Sequence, residues 1–272
     1  MTGESGLQRL PRLVATDLDG TLVRSDGSVS PLTRTVLAQL EERGVPVVFV
    51  TGRPLRWARE VFEHVGDHGL AVVANGALVW DVARDRPRLE RAVPAQVGLA
   101  VCEEVRAAVP GTAFAVETLE GIGLEPAFRE RYPVPGGSAR RPLAELFERP
   151  VLKVLARHEE LEPQEFWDAA AAVAGERLTI TWSSASPLLE ISAAEVTKAS
   201  TLALLCAEMG IGPEEVIAFG DMPNDLPMLG WAGTSYAMAE AHPTVLEAAD
   251  HVAGSHEADG VAEVLRATFG LV

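Results

Sequence analysis

The stretch Leu13-Val14-Ala15-Thr16-Asp17-Leu18-Asp19-Gly20-Thr21-Leu22 runs from an apolar segment into two carboxylates separated by one leucine, then a glycine turn. A short apolar run that ends at a polar, glycine-containing turn reads as a buried strand. Val45–Val50 repeats the pattern and ends at Thr51-Gly52-Arg53. Between them, Pro31–Arg43 reads as a helix, with Ser30 as N-cap, Pro31 in the first turn, Leu32, Val36, Leu37 and Leu40 on one face, and Gly44 as the stop. That is a β-α-β unit. A second helix over Leu55–Val65 leads to a strand at Leu70–Ala74, and Asn75-Gly76 turns the chain into Ala77–Trp80. The alternation predicts an α/β fold with a Rossmann-like, largely parallel sheet covered by helices.

From Val82 to Ser186 the character changes. Pro- and Arg-rich links at Asp85–Arg91 and Arg131–Arg141 flank shorter strand candidates at Thr112–Val116, Val151–Ala156 and Leu178–Trp182. This predicts an inserted α+β cap over residues 83–186, with residues 1–82 and 187–272 forming the core. The strand-helix rhythm then returns at Leu188–Ile191, a helix from Thr197 to Met209 closed by Gly210, a strand at Val216–Phe219, and a last helix over Gly260–Thr268.

The chain has 272 residues, 47% hydrophobic and 23% charged, with a formal net charge of −16. Such acidity repels a polyanionic duplex, so nucleic acid is not an expected partner. No apolar run reaches the ~20 residues that span a bilayer, and Met1–Gln8 lacks the pattern of a secretion signal, so a cytoplasmic protein without a membrane partner is expected. Cys102 and Cys206 sit in apolar helix-like stretches without metal spacing and read as buried thiols. The same net charge requires a local cation at any phosphate site.

In a parallel sheet, ligands bind outside the carboxyl ends of the strands. Asp17–Thr21, Thr51-Gly52-Arg53 and Gly220-Asp221-Met222-Pro223-Asn224-Asp225 all fall at such ends. Carboxylates converging there need a cation between them or a proton on one of them. Oxygen ligands without cysteine suit Mg²⁺. A calcium loop starting at Asp17 needs Gly and Glu where Leu22 and Ser28 stand, and no Walker phosphate loop occurs. Taken alone, Asp17–Thr21 also reads as an acidic turn that closes a strand. Of 23 basic residues only Lys153 and Lys198 are lysines. Lys198 opens a helix, where the dipole disfavours a cation, so an ammonium reaching toward a phosphate explains its place. Lys153 reads as an ordinary strand residue of the insertion.

Asp17-Leu18-Asp19-Gly20-Thr21-Leu22, Thr51-Gly52-Arg53, Lys198 and Gly220-Asp221-xx-Asn224-Asp225, in that order, resemble the four motifs of the haloacid dehalogenase-like phosphatases. Asn75-Gly76-Ala77, Ala237-Met238, Ala248-Ala249-Asp250 and Asp259-Gly260-Val261-Ala262 resemble the Cof-type subfamily with a C2B cap. The resemblance covers both core segments and is weak across the insertion. It implies a phosphatase of small phosphorylated metabolites, sugar phosphates first, acting through an aspartyl-phosphate. A phosphomutase or a phosphatase dedicated to one glycosyl phosphate is the alternative within the superfamily. A non-catalytic phospho-acceptor is the alternative outside it.

By the same resemblance, Asp17 is the nucleophile, Asp19 the acid and base, Thr51 a phosphate holder through hydroxyl and N–H, and Lys198 the neutralising cation. Mg²⁺ falls to Asp17, the Asp19 carbonyl, Asp221, Asn224 and Asp225, and the substrate side to Gly52, Arg53, Asn75 and Gly76. Arg53 also reads as a surface charge and Asn75 as the left-handed residue of an Asn-Gly turn. Arg129, Arg131, Arg140 and Arg141 are candidate anion contacts that read equally as surface charge. Glu195 and Ala199 stand where the family has glycine, so the lysine loop is expected to follow a different path. Glu240 and His256 stand where the subfamily has asparagine.

Overall fold

A computed structural model describes residues 10–65, 69–131, 133, 134, 138, 140–181 and 187–272. Met1–Gln8, Trp182 and the expected end of the insertion at Ser186 lie outside the described residues. Thirteen strands among the described residues form two sheets. They are β1 Leu13–Thr16, β2 Val47–Val50, β3 Leu70–Val73, β4 Leu78–Asp81, β5 Arg86–Glu90, β6 Ala113–Thr118, β7 Gly121–Leu124, β8 Lys153–Arg157, β9 Leu178–Thr181, β10 Leu188–Ala193, β11 Val216–Gly220, β12 Thr234–Ala237 and β13 His251–Val252.

The larger sheet has the order β13-β12-β11-β1-β2-β3-β4-β5. It is parallel from β13 to β3 and antiparallel from β3 to β5. Its central strands are apolar on both faces because both are covered. Val14, Phe49, Ile217 and Phe219 pack into one layer with Val36, Leu37, Leu40, Ala58 and Leu265. Leu13, Ala15, Val48, Val50, Val216 and Ala218 pack into the other with Leu202, Leu205 and Cys206. Successive residues therefore serve opposite layers, as strand geometry requires. The helix Pro31–Glu42 starts as predicted, with Ser30 Oγ accepting from Thr33 N at 2.9 Å. No helix among the described residues is long and apolar enough to cross a membrane.

The smaller sheet has the order β7-β6-β8-β10-β9, antiparallel throughout. Phe114, Val116, Val154, Ala156, Leu189 and Ile191 pack against the helices Ala95–Ala108 and Pro163–Ala174. The alternate residues face the other way. Glu117 pairs in register with Lys153, and Glu190 with Thr181. This polar row meets the larger unit, where Arg56 Nη2 and Nε donate to Glu117 Oε1 and Oε2 at 2.8 and 3.2 Å.

Two boundaries differ from the sequence reading. Arg86–Glu90, read as a link, is β5 at the edge of the larger sheet, where exposed Arg86, Pro87 and Arg88 give no apolar period. Leu188–Ile191, read as the return to the core, lies in the smaller sheet between β8 and β9. A strand buried on both faces reads alike in either sheet, and β10 is buried from Leu189 to Ala193.

The loop into the helix Lys198–Met209 keeps a left-handed residue although its glycine is missing: Glu195 takes φ 59°. Its carbonyl accepts from Ser200 Oγ at 2.7 Å, which helps hold it there. A side chain in this region costs ~1–2 kcal/mol relative to glycine. Glu195→Gly is therefore expected to raise stability by about 1 kcal/mol, a gain of about 2–4 °C in Tm for a chain of this size. Thermal unfolding checks this; an unchanged or lower Tm would show the loop to be relaxed around Glu195.

Candidate active site

Because β11, β1, β2 and β3 are neighbours, the loops leaving their carboxyl ends share one crevice. Asp17 follows β1, Thr51 follows β2, Asn75 follows β3 and Asp221 follows β11. Asp17 N donates to Phe219 O at 3.0 Å, which extends the parallel ladder into the first loop. Gly20, at φ 71°, lets that loop turn against Asp221, since a Cβ there would come within 2.4 Å of Asp221 Oδ2. Thr21 Oγ1 then donates to Asp221 Oδ1 at 3.1 Å.

Lys198 occupies the first position of its helix, with Thr197 and Ser200 capping each other's N–H groups. The helix start sits close over Gly76, where a Cβ would meet Thr197 O at 2.3 Å, and Thr201 Oγ1 donates to Gly76 O at 2.7 Å. Buried Lys198 Nζ donates to Asp17 Oδ1 and to Asp225 Oδ1, each at 2.7 Å. Asp225 Oδ2 accepts the N–H groups of Asp221 and Met222 at 3.2 and 3.1 Å. Asp225 thus braces both the lysine and the turn that carries Asp221.

One ammonium faces three carboxylates. Asp17, Asp221 and Asp225 each offer an oxygen, all within 4.8 Å of one another. Burial, with Asp225 beside it, pushes Asp221 up to about 6. Burial also raises Asp17 well above the ordinary carboxylate range, with Lys198 opposing and the other aspartates adding to the rise. For Lys198, burial works against the charge, but Asp17 and Asp225 outweigh it and its pKa rises. The excess negative charge fits a cation in the cluster. So does buried Asn224 Oδ1, which has no hydrogen-bond partner. An all-oxygen donor set of this kind suits a hard divalent ion.

Arg53 grips Asp19 through Nε and Nη2, at 2.7 and 2.5 Å, and the Asp19 side chain is 57% exposed. Arg53 is therefore not a free surface charge; it holds the second aspartate. Thr51 N donates to Val72 O at 2.8 Å. That spends the N–H expected to hold phosphate, so only the buried hydroxyl, which accepts from Arg53 N at 3.0 Å, remains for that role. Asn75 is left-handed at φ 56° and buried, joined to both Asn224 and Glu190. Gly76, expected on the substrate side, is buried beneath the lysine helix, with its carbonyl bound to Thr201. Gly52 O accepts from Lys153 Nζ at 2.7 Å.

Lys153 and Glu190 are the residues that the sequence reading missed. Lys153 is buried and also donates to Glu190 Oε1 at 2.7 Å. The signal was the scarcity of lysine, which marks Lys153 as strongly as Lys198. Arg140 serves structure: it donates to Glu130 Oε2 at 2.6 Å and to the Phe128 carbonyl at 2.9 Å. His256 lies against Ser25, Glu240 and Glu257. Cys102 and Cys206 are unpaired, and burial pushes their thiols up to about 12 and about 11.

A parallel core whose strand ends bring aspartates to one buried lysine, beneath an inserted sheet, defines a class of hydrolases that act at phosphate esters. The chain belongs to the haloacid dehalogenase-like hydrolases, a family that matches residues 14–265. It is 28% identical over 263 residues to the 5-amino-6-(5-phospho-D-ribitylamino)uracil phosphatase YcsE of Bacillus subtilis, covering 94% of each chain. It is 29% identical over 261 residues to the phosphoglycolate phosphatase of Methanopyrus kandleri, covering 93% of this chain and 95% of that one. The subclass IIB sugar phosphatase BT4131 shares the fold, with TM-score 0.74 and 20% identity over 96% of this chain and 99% of that one. The protein is a Cof-type phosphatase that hydrolyses phosphate monoesters.

The raised Asp221 has a consequence for stability. An acid whose pKa rises on folding binds more protons folded than unfolded, so its contribution to stability declines as pH climbs from its ordinary value to its folded one. For Asp221 that window runs from 3.8 to about 6. In chelator, the stability of the wild type relative to Asp221→Asn is expected to fall as pH rises through that window and to level off above it. Thermal melts of both proteins across the window check this; a constant difference would show that the Asp221 carboxyl is not raised.

Proposed function

We propose that this phosphatase acts on small phosphorylated metabolites with hydroxylated carbon chains, sugar phosphates foremost, with Mg²⁺ and through a phosphoryl group carried on Asp17. The observation that carries the reading is the buried Asp17 carboxylate, held at Oδ1 by Lys198. Its other oxygen is left to attack phosphorus. The P–O bond to the substrate breaks as the new O–P bond forms, and Asp19 gives its proton to the leaving oxygen. Asp19 then takes a proton from water, which attacks the phosphoryl group, so that inorganic phosphate leaves and Asp17 is restored. Lys198 offsets charge on Asp17 throughout.

For this cycle Asp19 must leave the grip of Arg53, and an arriving phosphate offers that guanidinium another anion. Asp17, the Asp19 carbonyl, Asp221, Asn224 and Asp225, directly or through water, would hold Mg²⁺, which when bound would supply charge neutralisation to the phosphoryl oxygens. The substrate class is supported by the 5-phospho-D-ribitylamino group in the name of the Bacillus subtilis relative.

The wild type is expected to hydrolyse p-nitrophenyl phosphate with Mg²⁺ and to stop in chelator. Asp17→Asn should fall to background, and Asp19→Asn should lower kcat by about 10²–10⁴-fold. An active Asp17→Asn protein would overturn the nucleophile assignment. A stable phosphoprotein without turnover would point to a phospho-acceptor instead.

A further inference from the structure

Asn224 belongs to the turn that carries Asp225, three residues after Asp221, and its buried Oδ1 has no hydrogen-bond partner. An unpaired buried acceptor costs about 1–3 kcal/mol, so something fixes the amide in this orientation. The cause can be traced outward. Asn224 Nδ2 donates to Asn75 Oδ1 at 3.1 Å, and Asn75 Nδ2 donates to Glu190 Oε2 at 2.7 Å. Glu190 Oε1 accepts from Lys153 Nζ at 2.7 Å. An ionised carboxylate only accepts hydrogen bonds, whereas an amide offers a donor at one end and an acceptor at the other. Glu190 therefore compels Asn75 to point its nitrogen outward and its oxygen inward. Asn75 in turn compels Asn224 to spend its nitrogen and present its oxygen. Gly52 makes the meeting possible, since a Cβ there would lie 2.9 Å from Asn75 Oδ1, 3.4 Å from Asn224 Nδ2 and 3.6 Å from Glu190 Oε2. Its carbonyl takes the second hydrogen bond from Lys153.

We propose that Glu190 of the smaller sheet, held by Lys153, is a positioning residue for the cation site: through Asn75 it dictates that Asn224 shows an oxygen rather than an NH₂ group there. The inference rests on the metal reading given under Proposed function. Neither Glu190 nor Lys153 needs to touch the cation or the substrate. The inserted sheet thereby sets the polarity of a ligand on the opposite unit, which couples its seating on the core to readiness for metal.

The test reverses the polarity. In Glu190→Gln the side chain keeps its oxygen on Lys153 and offers NH₂ to Asn75. Asn75 then turns its nitrogen to Asn224, and Asn224 turns its own NH₂ to the cation. Mn²⁺ affinity of the metal-free protein, measured by electron paramagnetic resonance without substrate, is expected to fall about 10-fold or more, the range seen when an outer partner of a metal ligand is lost. Adding Asn224→Asp to Glu190→Gln supplies an oxygen at both ends of residue 224, and affinity should return to within a few-fold of wild type. Wild-type affinity in Glu190→Gln would overturn the inference. So would a loss that Asn224→Asp fails to restore, because general damage to the fold is not repaired by a second change at the site. Asp221→Asn separates the two readings. If it loses Mn²⁺ while Glu190→Gln keeps it, the inference about Glu190 fails alone; if Asp221→Asn also binds as wild type, the metal reading fails and the inference with it.

Discussion

The contact between Lys198 and two buried aspartates is the constraint on which the remaining architecture turns. Its two hydrogen bonds of 2.7 Å join the end of β1 to the turn after β11 through a residue from a third element. Three carboxylates so close repel one another, and a buried ion cluster seldom stabilises a fold on its own account. The surroundings hold it in place. Asp225 is tied to two N–H groups of its own turn, Thr21 is bound to Asp221, and the helix bearing Lys198 is pressed onto the Asn75-Gly76 turn. The apolar layers on both faces of the sheet supply the stability that the cluster does not.

The smaller sheet is a working part of this arrangement because its strands divide their residues between two tasks. Leu189 and Ile191 of β10 complete the core under the two cap helices, while Glu190 between them reaches Asn75 at the end of β3. β8 does the same, with Val154 and Ala156 inward and Lys153 bound to Gly52. The paired Arg56 and Glu117 add a second tie between the units. These ties lie beside the loops that leave the carboxyl ends of the core strands.

Most of the core was legible because a parallel sheet makes a strict demand: its central strands must be apolar on both faces and end in loops that share one crevice. Asp17, Thr51 and Asp221 could be placed on that ground alone, and Asn75 only by the family resemblance. The edge strand β5 was not legible, since Arg86-Pro87-Arg88 carries no burial signal and an edge tolerates proline. β10 was visible as a strand but not as a member of either sheet, for burial on both faces erases the difference. The pairing of Arg53 with Asp19, the capture of the Thr51 N–H by Val72 and the burial of Gly76 depend on which backbones approach, and no spacing encodes that. Lys153 is the instructive case. Alternation along β8 separates it from Val154, but the sequence does not say that its face of the sheet meets the core.

Both lysines of this chain are almost wholly withdrawn from solvent, each 1% exposed, and every other basic side chain apart from histidine is arginine. The surface therefore offers acylating reagents no lysine amine at all. Reagents that decorate most proteins at dozens of lysines find here only two lysine amines, one under the inserted sheet and one among the clustered aspartates. The rate at which Lys153 is acylated becomes a clock for separation of the two units, and covalent attachment of the enzyme through lysine is a route to inactivation rather than to immobilisation.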